Sequence, residues 1–430
     1  MSESFQRGKA WSIAVLLAVF MLVNFVDKIV VGLVAVPMMT DLHLSPVEYG
    51  VIAGSFFWLF SICGILGGFL ANRIKAKWLL LGMAVLWSAA QLPIMFSSSV
   101  AVFIIARVVL GMSEGPAWPV GVHACYKWFP DDKRNLPVSV MAQGSASGLL
   151  IAALTIPHIT AHWGWRANFM VLGVIGIVWC VLWLLFGAEG SIDDKASAHH
   201  DVSVPQHRVR YARLLTDRTV LSNFVMYFVA YWGLSLALTW LPAFLEKGLG
   251  YSNIAAGHMY ALAVLVTVPL GIGLSWWSQR LLTKGVSSRT ARAVFASICL
   301  IIAGLLYCAL LVFNLSAFQK VILMAVAGGT SPIMYSLGPA MIGEVTPASQ
   351  RGAILAIENS IGAFAGVLAP LAAGKLVEMT AGPIGYEHAF VLSGVLLICG
   401  GLVGLLWMNP EKSAQRLSAP DVSARVQPAV

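Results

Sequence analysis

Twelve apolar runs constrain this chain more than any other feature. They lie near 11–36, 47–70, 78–97, 100–126, 136–157, 168–187, 218–245, 255–278, 292–313, 319–343, 353–377 and 388–408. A helix needs roughly 20 apolar residues to cross a bilayer, and each run is close to or beyond that length. Hydrophobic residues make up 59% of the sequence and charged ones 11%, where soluble domains carry roughly 25% charged residues. The chain therefore reads as an all-α membrane protein with twelve transmembrane helices. The first run is too long for the core of a signal peptide. It holds Asn24, Asp27 and Lys28 in place of a small-residue cleavage site, so it is expected to remain as a span.

The polar stretches set topology and domain limits. The longest interruption, 188–217, contains His199, His200, Arg208, Arg210 and Arg213, and it leaves six runs on each side. The reading is a bundle over 1–187, a flexible linker over 188–217, a second bundle over 218–410 and a disordered tail over 411–430. With both termini on the linker side, all but six of the 27 Lys and Arg fall on that side. Arg166, Lys247, Lys320 and Lys375 lie on the other, and Lys28 and Arg107 lie within runs. That bias places the linker and both termini in the cytoplasm of a multi-pass plasma-membrane protein, with a bacterial inner membrane as the expected setting. It also accounts for the net charge of +8 without a nucleic-acid partner. A weak repeat relates the halves. Pro130 and Arg134 precede the fifth run as Pro347 and Arg351 precede the eleventh, and small residues follow at Gly144, Gly148, Gly362 and Gly366. Six plus six spans with parallel repeats imply two six-helix bundles related by an axis along the membrane normal.

Four ionisable residues lie deep in the first and fourth apolar runs: Asp27, Lys28, Arg107 and Glu114. Charge at that depth is costly and points to function. Residues three and four apart share a helix face, so Asn24 aligns with Asp27 and Lys28, while Arg107 and Glu114 form one stripe. Arg107 and Lys28 would attract a carboxylate, and Glu114 and Asp27 would accept protons. An anion that takes a cation away from such a carboxylate makes it easier to protonate, which couples the two ligands. The alternative reading is two static ion pairs, Arg107–Glu114 and Asp27–Lys28; buried pairs contribute little net stability, which favours the functional reading.

Several of these residues fall in recognisable motifs. Gly68-Phe69-Leu70-Ala71-Asn72-Arg73 with Lys75 and Lys77, and Arg107 to Gly115, resemble signatures of the major facilitator superfamily. Asn24-Phe25-Val26-Asp27-Lys28, Trp128-Phe129-Pro130, Gly164-Trp165-Arg166 and Thr239-Trp240-Leu241-Pro242 resemble its anion:cation symporter branch. The resemblance spans nearly the whole chain. It implies the superfamily's twelve-helix fold and symport of organic anions, such as sugar acids or aromatic acids, with protons. Two positions depart from the pattern: Asn72 stands where the signature has Asp, and Lys28 where the branch has Arg, which loses a bidentate fork. The resemblance also makes Asn359 a substrate contact.

In the second half, Glu358 points about 100° away from Asn359, toward the vestibule on the linker side, and ranks after Asp27 as an alternative proton site. Glu344, near Pro347 and Arg351, is read as a gate or cap. The substrate site is thus expected to comprise Arg107, Lys28, Asn24, Asn359, Tyr227 and Gln143, with Tyr231 and Trp232 as further wall candidates. Proton coupling is expected at Glu114 and Asp27, with gate or motif roles for Gly68, Asn72, Arg73, Arg134 and Arg351. The six cysteines all lie within runs without metal spacing and read as packing residues. His123, His158, His162, His258 and His388 lie near run ends and are given no chemistry, nor are His199 and His200. No phosphate-binding loop, nucleophile elbow or metal cluster is present, so the sequence argues against an enzyme or an ATP-driven pump and for a cofactor-free monomer in membrane lipid. Uptake of an organic anion with protons is the leading reading; a proton-driven exporter or anion exchanger of the same fold is the alternative.

Overall fold

The computed structural model describes residues 6–71, 73–130, 133–190, 208–380 and 382–418. Asn72, His199 and His200 lie outside the described residues, as do most of the linker and 419–430. The described residues hold 12 helical spans. The first six are α1 (Arg7–Leu33), α2 (Pro46–Ala71), α3 (Ala76–Phe96), α4 (Val100–Tyr126), α5 (Asn135–Trp163) and α6 (Arg166–Phe186). The second six are α7 (Arg218–Thr239), α8 (Asn253–Thr283), α9 (Arg289–Val312), α10 (Ala317–Val345), α11 (Ser349–Met379) and α12 (Ile384–Trp407).

Local sequence sets where these spans begin. Ser45 and Ser316 each form a capping box, with Glu48 and Gln319, at the starts of α2 and α10. The Asp217 carboxylate accepts from the backbone N–H of Thr219 and Val220 at the start of α7. Within the first half α1 packs on α5 and α3 on α6; within the second α9 packs on α12 and α7 on α11. The halves join through α2 with α11 and α5 with α8.

Three spans are not continuous. The α-helix of α2 stops at Ser55 and resumes at Phe60. That of α4 stops at Glu114 and resumes at Ala117. In α10 a 3₁₀ turn, Ser331–Ile333, separates two α-helical pieces. The sequence reading took these as unbroken spans. Gly115-Pro116 and Ser331-Pro332 carry the signal in α4 and α10, because proline removes a backbone donor and disfavours helix at the residue before it.

The expected disordered tail starts instead as an ordered helix, α13 (Pro410–Ser418). It is held because Arg416 pairs with Asp217, Ser413 bonds Thr219 at 2.7 Å, and Leu417 enters an apolar cluster with Leu214, Val220 and Ile354. The described end of the linker is gripped as well: Gln350 bonds both backbone groups of Val209, at 2.9 and 2.7 Å. Asp217→Ala removes a cap and leaves Arg416 without its partner. A lost cap costs about 1 kcal/mol, so the purified variant should unfold at a lower temperature, with Asp217→Asn between the two; equal midpoints for all three would refute this role.

Contact between the halves is concentrated on the side away from the linker. Tyr49 of α2 donates to the carbonyl of Thr239 in α7 at 2.6 Å and lies edge-on to Trp240. The backbone N–H of Val47 donates to Glu378 of α11. Gly50 and Gly54 of α2 approach the α11 carbonyls of Pro370 and Val367. On the linker side each half fastens to itself. Lys127 meets Glu189 at 2.7 Å, and Glu189 also receives the N–H of Ala76 and Lys77. In the second half Arg292 meets Glu344 at 2.7 Å.

Candidate functional site

The interruptions in α2 and α4 lie against each other, and the charged residues gather around them. The carbonyl of Phe56, in the unwound turn of α2, points at Gly111 of α4, where any side chain would collide with it. The carbonyl of Phe60 meets Gly115 in the same manner. Irregular backbone at this depth is tolerated only where protein or a watery cavity covers it, and interrupted spans at matching places in the two halves mark binding sites in carriers. Here α4 and α10 occupy matching places. Gly111→Ala forces a Cβ into the Phe56 carbonyl, and overpacking of this kind typically costs about 1–3 kcal/mol. A clear drop in thermal midpoint is expected; a wild-type midpoint would refute the close approach.

Asn24, Asp27, Gln91, Arg107 and Glu114 are buried, and Lys28 keeps 13% of its side chain exposed. Adjacent residues on a helix point about 100° apart, and here that separates Asp27 from Lys28. Lys28 bonds Asn24 at 2.7 Å, one turn earlier, and faces Glu114 at 3.9 Å. Its ammonium also lies over the rings of Phe25 (4.4 Å) and Phe60 (5.3 Å). Asp27 turns instead to Gln91 of α3, which donates to it at 2.8 Å. Arg107 donates to the backbone carbonyl of Asp27 at 3.3 Å and lies over the ring of Phe56 at 4.8 Å. The ion pair that forms is thus Lys28–Glu114, not either of the two pairs read from sequence.

Satisfaction is incomplete in this group. Both carboxyl oxygens of Glu114, Nε of Arg107, Nδ2 of Asn24 and Oε1 of Gln91 have no hydrogen-bond partner. Unmet buried polar atoms cost about 1–3 kcal/mol each, so this group is not one optimised for stability. Arg107 was expected to present its guanidinium to a cavity; it is only 2% exposed, behind Phe56, and Lys28 is the more accessible cation.

Aromatic rings connect Lys28 to the second half. Phe60 leads to Phe57 (5.9 Å), Phe57 to Tyr231 of α7 (5.9 Å), and Tyr231 to Tyr227 (6.5 Å) and to Tyr335 of α10 (6.2 Å). Tyr335 bonds the Ala230 carbonyl. Gly362 of α11 lies against Tyr227 and Tyr231, and Gly366 against Phe57. Trp232 is buried with its indole N–H unbonded. Asn359 is half-buried.

Other expected residues are placed differently. Gln143 is exposed on α5 and makes no hydrogen bond to the group around Lys28 among the described residues. Gly144 and Gly148 pack against the α1 carbonyls of Ala18 and Leu22, a seam inside the first half. Glu358 does not face a vestibule; it is 2% exposed and accepts from Asn223 of α7 at 3.0 Å. Glu344 fastens α10 to the start of α9 through Arg292 and Ser288. Arg73 is exposed, and Gly68 has open space around its Cα. Arg134 and Arg351 each return to the end of the preceding span, bonding the carbonyls of Phe129 (3.1 Å) and Gly343 (2.7 Å). Cations at helix C-termini offset the dipole and the open carbonyls there. Arg166 and Trp165 both donate to Asp41, and these bonds hold its carboxyl below the usual carboxylate range. Sequence reasoning missed Gln91, Asn223, Tyr335, Phe56, Phe57 and Phe60. Gln91 and Asn223, as polar residues inside apolar runs, carried a usable signal; the aromatic residues did not.

Comparison with known proteins agrees with this architecture. The family model described as Major Facilitator Superfamily matches residues 16–286 and 281–429. A probable galactarate/D-glucarate transporter of Bacillus subtilis is 26% identical over 94% of this chain and 92% of its own. The chloroplastic ascorbate transporter of Arabidopsis thaliana is 25% identical over 95% of this chain and 76% of its own. Among solved structures, a bacterial homolog of the human lysosomal transporter Spinster, inward-facing and occupied, superposes with a TM-score of 0.78 at 17% identity, covering 100% of both chains.

Proposed function

The chain belongs to the major facilitator superfamily, and on that premise we propose that it takes up a small organic anion, of the sugar-acid class, together with protons. It is a membrane transporter and not an enzyme; cargo class and coupling are the proposed part. The observation that carries the reading is the incompletely satisfied pair of Lys28 and Glu114 beside Asp27 and Arg107. The relatives' named cargoes, galactarate or D-glucarate and ascorbate, are hydroxylated organic acids. Such a cargo needs a cation at a carboxylate and several hydroxyl partners. Lys28 supplies the cation; Asn24, Asn359, Tyr227 and Tyr231 supply the partners.

Coupling follows from competition at one ammonium. Lys28 is the only cation in ion-pair range of Glu114 among the described residues. A substrate carboxylate on Lys28 draws that cation away, and Glu114 then takes a proton from the cavity. Bound anion and bound proton thus favour each other. Arg107, held by Asp27 and Phe56, contributes positive potential and donors that become available once the turn of α2 moves. The far-side seam holds the halves together at the face that the Lys/Arg bias assigns to the outside.

The test is uptake into proteoliposomes with and without an imposed pH gradient, using D-glucarate as the first of a panel of organic acids. Acceleration by an inward proton gradient is expected. Drug export or gradient-independent exchange would overturn the reading. Arg107→Lys keeps charge but loses the planar fork over Phe56, so its uptake should fall at least tenfold; wild-type uptake would remove Arg107 from the site.

A further inference from the structure

Glu358 lies outside the group around Lys28, and nothing in the mechanism above uses it. It is buried on α11 against α7 and α10, where Asn223 and Gly338 lie beside it. Among the described residues it forms no ion pair. The polar and titratable groups facing it are Asn223 and Tyr227 from α7 and the Gly338 carbonyl from α10. Its own helix adds Asn359 and Ser360, and the Ser360 hydroxyl is spent on the Ala356 carbonyl.

The hydrogen-bond count around Asn223 is uneven. Asn223 is 0% exposed. Its amide N–H groups donate to Glu358 Oε1 at 3.0 Å and to the Gly338 carbonyl at 3.1 Å, which uses both donors. Its Oδ1 receives nothing. A side chain at Gly338 would come within 2.7 Å of Glu358 Oε1 and 3.1 Å of Asn223 Oδ1, so the carboxyl and the orphan oxygen stand over the same glycine. A carboxylate only accepts, and leaves two acceptors side by side without a donor between them. A carboxylic acid has one O–H to give, and Asn223 Oδ1 is an open acceptor over the same glycine. An acid and a primary amide satisfy each other reciprocally.

We propose that Glu358 is a second proton-binding site, located in the second half and completed by acid–amide pairing with Asn223. Its role in transport rests on the proton coupling proposed above. The proton comes from water, forms an O–H bond on the carboxyl, and returns to water when α7 and α10 move apart and the pairing with Asn223 is lost. Neighbouring Asn359 is half-buried, so the acid sits one residue behind a candidate cargo contact.

Glu358→Gln is a near-isosteric test. A glutamine amide can pair with Asn223 in the same reciprocal way yet carries no titratable proton. Infrared spectra of the purified protein in detergent should show the carbonyl stretch of a hydrogen-bonded protonated carboxyl that disappears in Glu358→Gln and shifts in Asn223→Leu. Spectra identical to wild type in Glu358→Gln, or an unshifted band in Asn223→Leu, would overturn the site. In proteoliposomes with D-glucarate, Glu358→Gln should retain counterflow and move one proton fewer per cargo molecule; an unchanged ratio would overturn its part in coupling. Wild-type protein that ignores a pH gradient would refute symport itself, and the infrared band would still decide the state of Glu358.

Discussion

Glu114→Gln is expected to cut accumulation against a gradient by the factor that one coupled proton supplies, while leaving counterflow intact. Glu114 is buried, neither carboxyl oxygen has a hydrogen-bond partner, and its ion-pair partner is Lys28 at 3.9 Å. Glutamine at this position imitates the protonated state permanently. The carrier can then bind anion and move it across, but the proton held at Glu114 no longer drives that movement. One proton crossing a gradient of about one pH unit supplies about 1.4 kcal/mol, enough for tenfold accumulation. That factor should fall to parity in the variant. Uptake driven by a pH gradient and counterflow without one, measured on the same proteoliposomes, separate the two properties. Accumulation unchanged from wild type in Glu114→Gln would move this proton to Asp27, the other buried carboxyl among the described residues of the first half.

Lys28→Met should eliminate cargo binding, and Lys28→Arg should preserve much of it. Removing the ammonium takes the attracting charge from the cargo and the counter-charge from Glu114. Breaking a buried pair costs about 3–5 kcal/mol, because the remaining charge is left uncompensated. The single variant therefore also loses stability. The double variant Lys28→Met with Glu114→Gln removes both charges and should recover the thermal midpoint but not D-glucarate binding. Recovery of both would show that Lys28 is only a structural partner of Glu114.

The parts of this protein visible in its sequence are those governed by local composition. Span number and approximate limits follow from apolar length, and the structure holds the expected 12. Motif residues such as Trp165 and Arg166 could be singled out but not explained: their partner, Asp41, is 124 and 125 residues away. The same limit applied to the charged residues. Helical spacing grouped Asp27 with Lys28 and Arg107 with Glu114, whereas packing of α1 on α3 and α4 paired Lys28 with Glu114 and Asp27 with Gln91. A 100° step along α1 decides this, and which neighbour fills each direction is a tertiary property. The order of α13 was illegible for the same reason: its polar sequence lacks a core of its own and borrows one from the start of α7.

The far-side seam has a consequence for how the carrier responds to its medium. The described contacts that close it are carbonyls seated on glycines, a phenol on a carbonyl, aromatic edges and one backbone N–H on a carboxylate; no ion pair crosses it among the described residues. Dissolved ions weaken attraction between exposed charges over roughly 10 Å at 0.1 M and leave contacts of this kind almost untouched. The rate at which the two halves come apart should therefore stay level as salt concentration rises, and any salt sensitivity of uptake should enter through capture of the anion. A saline environment would then tax the carrier's grip on its cargo without slowing its cycle.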